Sequence, residues 1–495
     1  MNQQPPQVSL HTDGERRGPR PVLPVLLIAA GLIAIGVSMV FRHTLGRGEQ
    51  GQTAVLQYEF AARAGYRSWL LSSYVSRGSV RPAEARRSAD AQGVAQTLAR
   101  LVSADPSSVK ARVWYAAFLG EIGRDGEAAA QIAQARRLLT EPGAAEADSL
   151  AALQRLYERT AAFGTPDDVA AIADLNSSID LDVFGPLVQE KVHEVLGDDA
   201  RAKEIEHAEQ LRALAWWTKV IVMFAASAVA VLAGLVVGIV HLVARSRSSE
   251  GWRRPAKAIP AAPLAVVVLV FIVLTLGVPV LAKFVVGLAT GTEPGELSAR
   301  FIVTWAVGEE IVIAAFCVWV ASGVLSGSGL SLRDIGLKVG TGAKNVLRGI
   351  GGYLAALPIM IVAALIGYLL FVKVVPLETP ANPMFDLVAA ADDRWVLVGA
   401  FLLGSVLAPV IEEIVFRGML QSILRAKVGV WGGILGSSAV FAGLHPQLPM
   451  GFLPLFGIGC VLAYLYQMTD SLVPSMLAHS LNNTIATIVM LQVMG

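Results

Sequence analysis

The residues of this chain that could do chemistry lie where an apolar segment should not hold them. The stretch "PVIEEIVFRGML" (409–420) places Glu412, Glu413 and Arg417 inside an otherwise oily run. An ionisable side chain in a membrane span costs about 2.5–3.5 kcal/mol on insertion scales, so such groups face a protein interior or a wet cavity. On an α-helix, positions i and i+4 share a face. Glu413 and Arg417 are so spaced, with the acid on the favourable N-terminal side of the pair. Glu412 is rotated from that pair by about 100°, and its own i+4 neighbour is Phe416. The two carboxylates are therefore inequivalent: Glu413 belongs to an ion pair, and Glu412, without that partner, suits a general base.

Histidine placement adds to this pattern. Beyond residue 242 the chain has only His445 and His479. His445 ends "SSAVFAGLH", one turn after Phe441, and His479 opens "HSLNN", with Asn483 one turn later on the same face. A His–Asn pair can fix an imidazole tautomer or offer a donor to a developing oxyanion. A turn near 426–428 would put Glu412 about 21 Å before it and His445 about 27 Å after it, at similar depth on antiparallel neighbours. Taken singly, the ion pair reads as packing and each histidine as a hydrogen-bonded interior residue. Together, an unpaired Glu, two His and an Asn on three spans read as a functional site. A second acidic pair, Glu309 and Glu310 in "WAVGEEIVIAAF", has Ile313 and Ala314 at i+4 and no arginine. It reads either as polar lining or as a separate cavity group.

The elements that must position these residues follow from composition. The 495-residue chain is 54% hydrophobic and 16% charged, well short of the quarter charged that soluble domains carry. Its net charge of +1 gives no reason to expect a nucleic-acid partner. Cys317 and Cys460 sit in apolar runs, lack zinc-site spacing and read as small core residues. Residues 1–20 are polar and read as a disordered cytoplasmic tail; residues 21–42 contain a charge-free run long enough to span and read as a signal anchor. Residues 43–213 are Ala-rich, charged and helical in period, an extracytoplasmic docking domain. Within it, "ARVWYAAFLGEIGRDGEAAAQIAQARRLL" is TPR-like, with Ala116, Gly123, Ala128, Ile132 and Ala135 at small or packing positions. An ordinary helical bundle remains the alternative.

From Trp216 onward, apolar spans lie near 218–243, 262–290, 301–325, 350–373, 395–415, 429–446, 451–467 and 472–493, nine spans with the anchor. Residues 214–299 hold two spans joined by the basic linker "ARSRSSEGWRRPAK", which should be cytoplasmic. The loop 331–348 and the cluster Arg417, Arg425, Lys427 then fall on the same side. The fold class is all-α: a polytopic membrane bundle with an inserted extracytoplasmic helical domain.

"EEIVFRG", "FAGLH" and "HSLNN", in that order on successive spans, resemble the CPBP intramembrane proteases, also called the Abi family, whose pattern is EExxxR, FxxxH, HxxxN/D. That group includes CAAX endopeptidases and bacteriocin-processing or self-immunity proteins. The likeness covers roughly residues 300–495, and "SLRDIGLK" also resembles the segment these proteins carry before their core. It implies peptide-bond hydrolysis in a conical cavity within the membrane. In that scheme Glu412 and His445 activate water, Glu413 and Arg417 shape the site, and His479 and Asn483 stabilise the oxyanion. The resemblance also allows zinc on Glu412, His445 and His479, but the chain has no HExxH; a glutamate-activated water without metal is the favoured form.

The sequence thus points to a membrane-embedded endopeptidase in a bacterial inner membrane. Its partners would be a membrane-associated protein or peptide substrate and a protein docked on residues 43–213; prenylated substrates are not expected. A non-proteolytic scaffold binding a partner through 43–213 is the rival class. An ion-coupled transporter ranks third, since no inverted repeat is visible.

Overall fold

The computed structural model describes residues 47–77, 89–139, 145–159, 163–248, 258–290, 298–338, 342–374 and 393–494. The tail (1–20), the anchor (21–42) and residues 249–257 of the basic linker lie outside the described residues. Among the described residues the chain is helical, without a strand. They fall into two compact units, one drawn from 237–377 and 402–482, the other from 39–236, 378–401 and 483–495.

The second unit is mainly a helical domain, built from α1 (Arg47–Arg77), α2 (Ala89–Ala104), α3 (Val109–Glu121), α4 (Asp125–Leu138), α5 (Ala145–Glu158), α6 (Pro166–Ser178) and α7 (Gly185–Val195). Its helices form because apolar positions repeat at helical spacing. In α2 the buried residues are Ala91, Val94, Ala95, Leu98 and Leu101, one stripe facing the core. Starts are fixed by caps. Ser108 accepts from the Ala111 N–H, and Thr165 forms a reciprocal capping box with Asp168 ahead of Pro166. The core is aromatic: Tyr66, Trp69, Trp114, Phe118 and Phe184 are fully buried and share ring contacts. Ala116, Ala128, Ile132 and Ala135 are all buried between α3 and its neighbours, so the quoted stretch is a helical hairpin. The TPR-like class itself rests on the sequence pattern alone.

The membrane part begins with α8 (Asp199–Ser246), an unbroken 48-residue helix that runs through the composition change near residue 213. Its apolar stretch is bare: Ile221, Val222 and Phe224 are each more than 60% exposed, a surface suited to lipid rather than water. α9 (Ala261–Thr290), α10 (Ala299–Ser326) and α11 (Gly342–Tyr368) follow. Then comes a helical rod folded back on itself, Arg394–Gly443, made of α12 (Arg394–Leu402), a π-helical turn, α13 (Ala408–Glu412), a π-helical stretch at Glu413–Gln421, and α14 (Ser422–Gly443). The rod breaks inside α14 at Gly429, whose φ of 80° and ψ of 177° only glycine adopts readily. α15 (Phe452–Thr469) and α16 (Val473–Met494) complete the chain.

Six helices among the described residues are long and apolar enough to cross a membrane. This is a multi-pass membrane protein. The count differs from the nine spans read above for physical reasons. The anchor is outside the described residues, the spans 395–415 and 429–446 are two arms of one helical run that folds back at Gly429, bringing Phe416 and Phe441 to 5.5 Å, and α16 is less apolar because it carries His479, Asn482 and Asn483.

Candidate active site

The rod ends α13 at Glu412 and places the rest of "EEIVFRG" on a π-helical stretch rather than on the α-helix assumed from spacing. Such i→i+5 turns are rare and recur at functional sites. Glu413 and Arg417 still meet, with Arg417 Nη1 3.2 Å from Glu413 Oε1 and both side chains fully buried. The pairing is by charge: Arg417 Nη1 and Nε lack aligned hydrogen-bond acceptors. Glu412 is different, with 21% of its side chain exposed against 0% for Glu413. The inequivalence expected from the sequence is present, and the open carboxylate is the one without the arginine.

A regular ladder fixes the face that carries these groups. Arg417 donates to the Gly459 carbonyl at 3.3 Å, Gln421 to the Ala463 carbonyl at 2.9 Å, and Arg425 to Gln467 at 3.0 Å. Each rung advances four residues on both helices, so this part of the rod and α15 run parallel. The sequence signal was a polar residue at every fourth position, Glu413, Arg417, Gln421 and Arg425, and the last two were not singled out as structural. Arg425, read above as topological charge, is tied to α15. At the lower end, Ser422 bonds the Tyr466 hydroxyl at 3.1 Å, and Tyr466 donates to the Ile335 carbonyl at 3.1 Å. "SLRDIGLK" is thereby docked on the core. Gly336 permits it, with a φ of 96° and a Cβ position that would lie 2.6 Å from the Tyr466 ring.

His479, from α16, stands between the two glutamates. Its Nδ1 is 3.0 Å from Glu413 Oε1, and its Nε2 is 3.7 Å from Glu412 Oε2. A carboxylate only accepts, so Nδ1 carries the proton donated to Glu413 and Nε2 is left facing Glu412. This bridge joins residues 66 positions apart. The spacing argument had paired His479 with Asn483 and missed Glu413 as its anchor. Asn483 lies one turn further along α16, partly exposed, its carbonyl accepting from Thr487 at 2.8 Å.

His445 follows the end of α14. Gly429 is 17 residues after Glu412 and 16 before His445, so the two arms match more closely than a turn at 426–428 would give. Its Nδ1 is 2.8 Å from the Phe441 carbonyl, an acceptor, which makes Nδ1 the donor and leaves Nε2 as a free base. His445 is close enough to Glu412 and His479 to interact with their charges.

Phe441 organises the group. Its ring centroid lies 4.6 Å from that of His445, 5.5 Å from His479 and 5.5 Å from Phe416, with the Arg417 guanidinium 4.5 Å away. One aromatic ring thus contacts both histidines and the arginine. The second acidic pair divides. Trp305 donates to Glu309 at 2.9 Å on the exposed side of α10, whereas Glu310 is close enough to Glu412 for their charges to interact.

The ligand set named from the sequence fits a metal poorly in this arrangement. Among the described residues no three His, Cys, Asp or Glu side chains converge as ligands, and both nitrogens of His479 face carboxylates. What the residues can do is bind, orient and deprotonate a water.

No match was found among curated proteins or among solved structures. Residues 394–485 match the family model described as Rce1-like, type II CAAX prenyl endopeptidase. The match takes in all six site residues and under a fifth of the chain, a narrower segment than the resemblance read from the motifs. Residues 394–485 therefore carry an Rce1-like domain of the CPBP family of membrane proteases.

Proposed function

We propose that the protein is an intramembrane endopeptidase that cleaves membrane-associated protein or peptide substrates with a water activated by Glu412. The observation that carries this reading is the His479 bridge, with its Nδ1 on buried Glu413 at 3.0 Å and its Nε2 3.7 Å from the open Glu412. Glu412 accepts a proton from water, assisted by His445 Nε2, as the hydroxide bonds to the scissile carbonyl carbon. The resulting oxyanion accepts a hydrogen bond from the Asn483 side-chain amide. Collapse breaks the C–N bond, and the proton held by Glu412 passes to the departing amine. Glu413 and Arg417 react with nothing; they fix the tautomer and position of His479.

The setting is the plasma membrane of a bacterial cell, with residues 43–213 outside as a docking domain that recruits substrate or a regulator. Prenylated substrates are not expected.

The reading is tested by comparing the termini of membrane proteins from host cells carrying wild type or Glu412→Gln at equal levels. New termini seen with the wild type alone support proteolysis and begin to name substrates. Identical termini, with the same phenotype restored by both forms, would replace it with the scaffold reading.

A further inference from the structure

The helical unit holds a cavity of about 370 Å³ between α1 and the start of α8. Arg67, Asp182, Glu209, Arg212, Trp216 and Lys219 line it. Its acids already have cations: Asp182 is ion-paired with Arg63 at 2.5 Å, and Glu209 pairs with Arg212. Arg67 packs over the Trp216 ring, 5.1 Å from its centroid, and Lys219 is exposed at the rim. Burial holds the Arg67 guanidinium below its usual range, against the pull of Asp182. An anion in the cavity would offset that desolvation.

Trp216 supplies a second, independent observation. It is only 8% exposed, and its indole N–H has no acceptor among the described residues. A buried donor left unmade costs about 1–3 kcal/mol, and a ligand oxygen would remove that cost. Location narrows the ligand. Trp216 and Trp217 directly precede a stretch of α8 that is free of charge from Val220 to Val240. Tryptophan and lysine at such a junction mark the level of lipid headgroups.

We infer that this cavity binds a phosphate-bearing anion, held by Arg67, Lys219 and the Trp216 indole N–H. Its position favours the headgroup of an anionic lipid over free phosphate.

The test is native mass spectrometry of the full-length protein in detergent, titrated in separate arms with phosphatidylglycerol and with inorganic phosphate. Wild type is compared with Arg67→Gln, Trp216→Phe and Lys219→Gln. The phenylalanine keeps a ring beneath Arg67 and removes only the N–H, and Lys219 is exposed, so both variants keep the fold. Saturable phosphatidylglycerol binding, weakened about tenfold by each of these two changes, supports the proposal with a lipid source. The same dependence in the inorganic phosphate arm supports it with a soluble source. Binding in neither arm, or binding equal in wild type and in both variants, overturns it.

Discussion

Two carboxylates, Asp168 in the helical domain and Glu413 in the membrane core, are about equally buried and satisfied in opposite ways. Asp168 Oδ2 accepts from the Gly164 and Thr165 N–H groups at 3.2 Å and from the Thr165 hydroxyl at 2.9 Å, and its other oxygen is bonded by Arg155. Most of its partners lie within four residues. Glu413 draws Arg417 and His479 onto one oxygen, and its second oxygen has no well-aligned hydrogen bond, with the Ser475 hydroxyl nearby. The first arrangement does nothing but hold a helix start. The second leaves a buried group under-satisfied and ties together distant elements, and that combination marks sites rather than scaffolding.

The comparison can be broken at either end. Arg417→Met removes the guanidinium from buried Glu413 and leaves its charge poorly compensated. We expect a loss of about 3–5 kcal/mol, read as a large drop in the unfolding temperature of the detergent-solubilised protein. Replacing both partners, Glu413→Gln with Arg417→Met, restores much of that stability, because no unpaired buried charge remains. A double variant as unstable as Arg417→Met alone would mean that packing against Phe441, rather than charge, holds the pair.

In the helical domain the effects are smaller. Asp168→Asn should cost about 1–2 kcal/mol, since the Arg155 side of the network is partly exposed and screened. Thr165→Ala, which deletes the cap, should cost about 1 kcal/mol in the same unfolding measurement. Neither change should slow proteolysis at temperatures where the protein is folded.

Acid sensitivity sharpens the contrast further. The hydrogen bond from Arg155, helped by Thr165 and opposed by burial, holds the Asp168 carboxyl below the usual carboxylate range. A depressed folded value means that its stabilisation is fully present above the unfolded value of about 3.9 and fades as pH falls through the folded one. The stability difference between wild type and Asp168→Asn should therefore shrink below about pH 4. A difference that stays constant across that range would mean that Asp168 acts through shape alone.

How much could be read from the sequence follows the same division. Glu413–Arg417 was legible because its partners are four residues apart and survive the change from α to π geometry. Glu412 was legible as the odd carboxylate because nothing at i+4 could pair with it. The His479–Glu413 bond was not legible, since it depends on how α16 crosses the rod, which no local period encodes. The place of the bend was misjudged by a residue or more: the turn was expected near 426–428, while Gly429 makes the break through its positive φ. In the helical domain the burial of Ala116, Ala128, Ile132 and Ala135 followed from spacing. The aromatic cluster around Trp114 joins α1, α3 and the segment at Phe184, and became visible only in three dimensions.

The most direct measurement pairs two variants in one reconstituted system: cleavage of a substrate found by the termini comparison, and unfolding temperature, for Glu412→Gln and Asp168→Asn. The account predicts that Glu412→Gln lowers the cleavage rate about 10²–10⁴-fold with little change in unfolding temperature, whereas Asp168→Asn lowers the unfolding temperature and leaves cleavage intact. Cleavage by Glu412→Gln at the wild-type rate would contradict it.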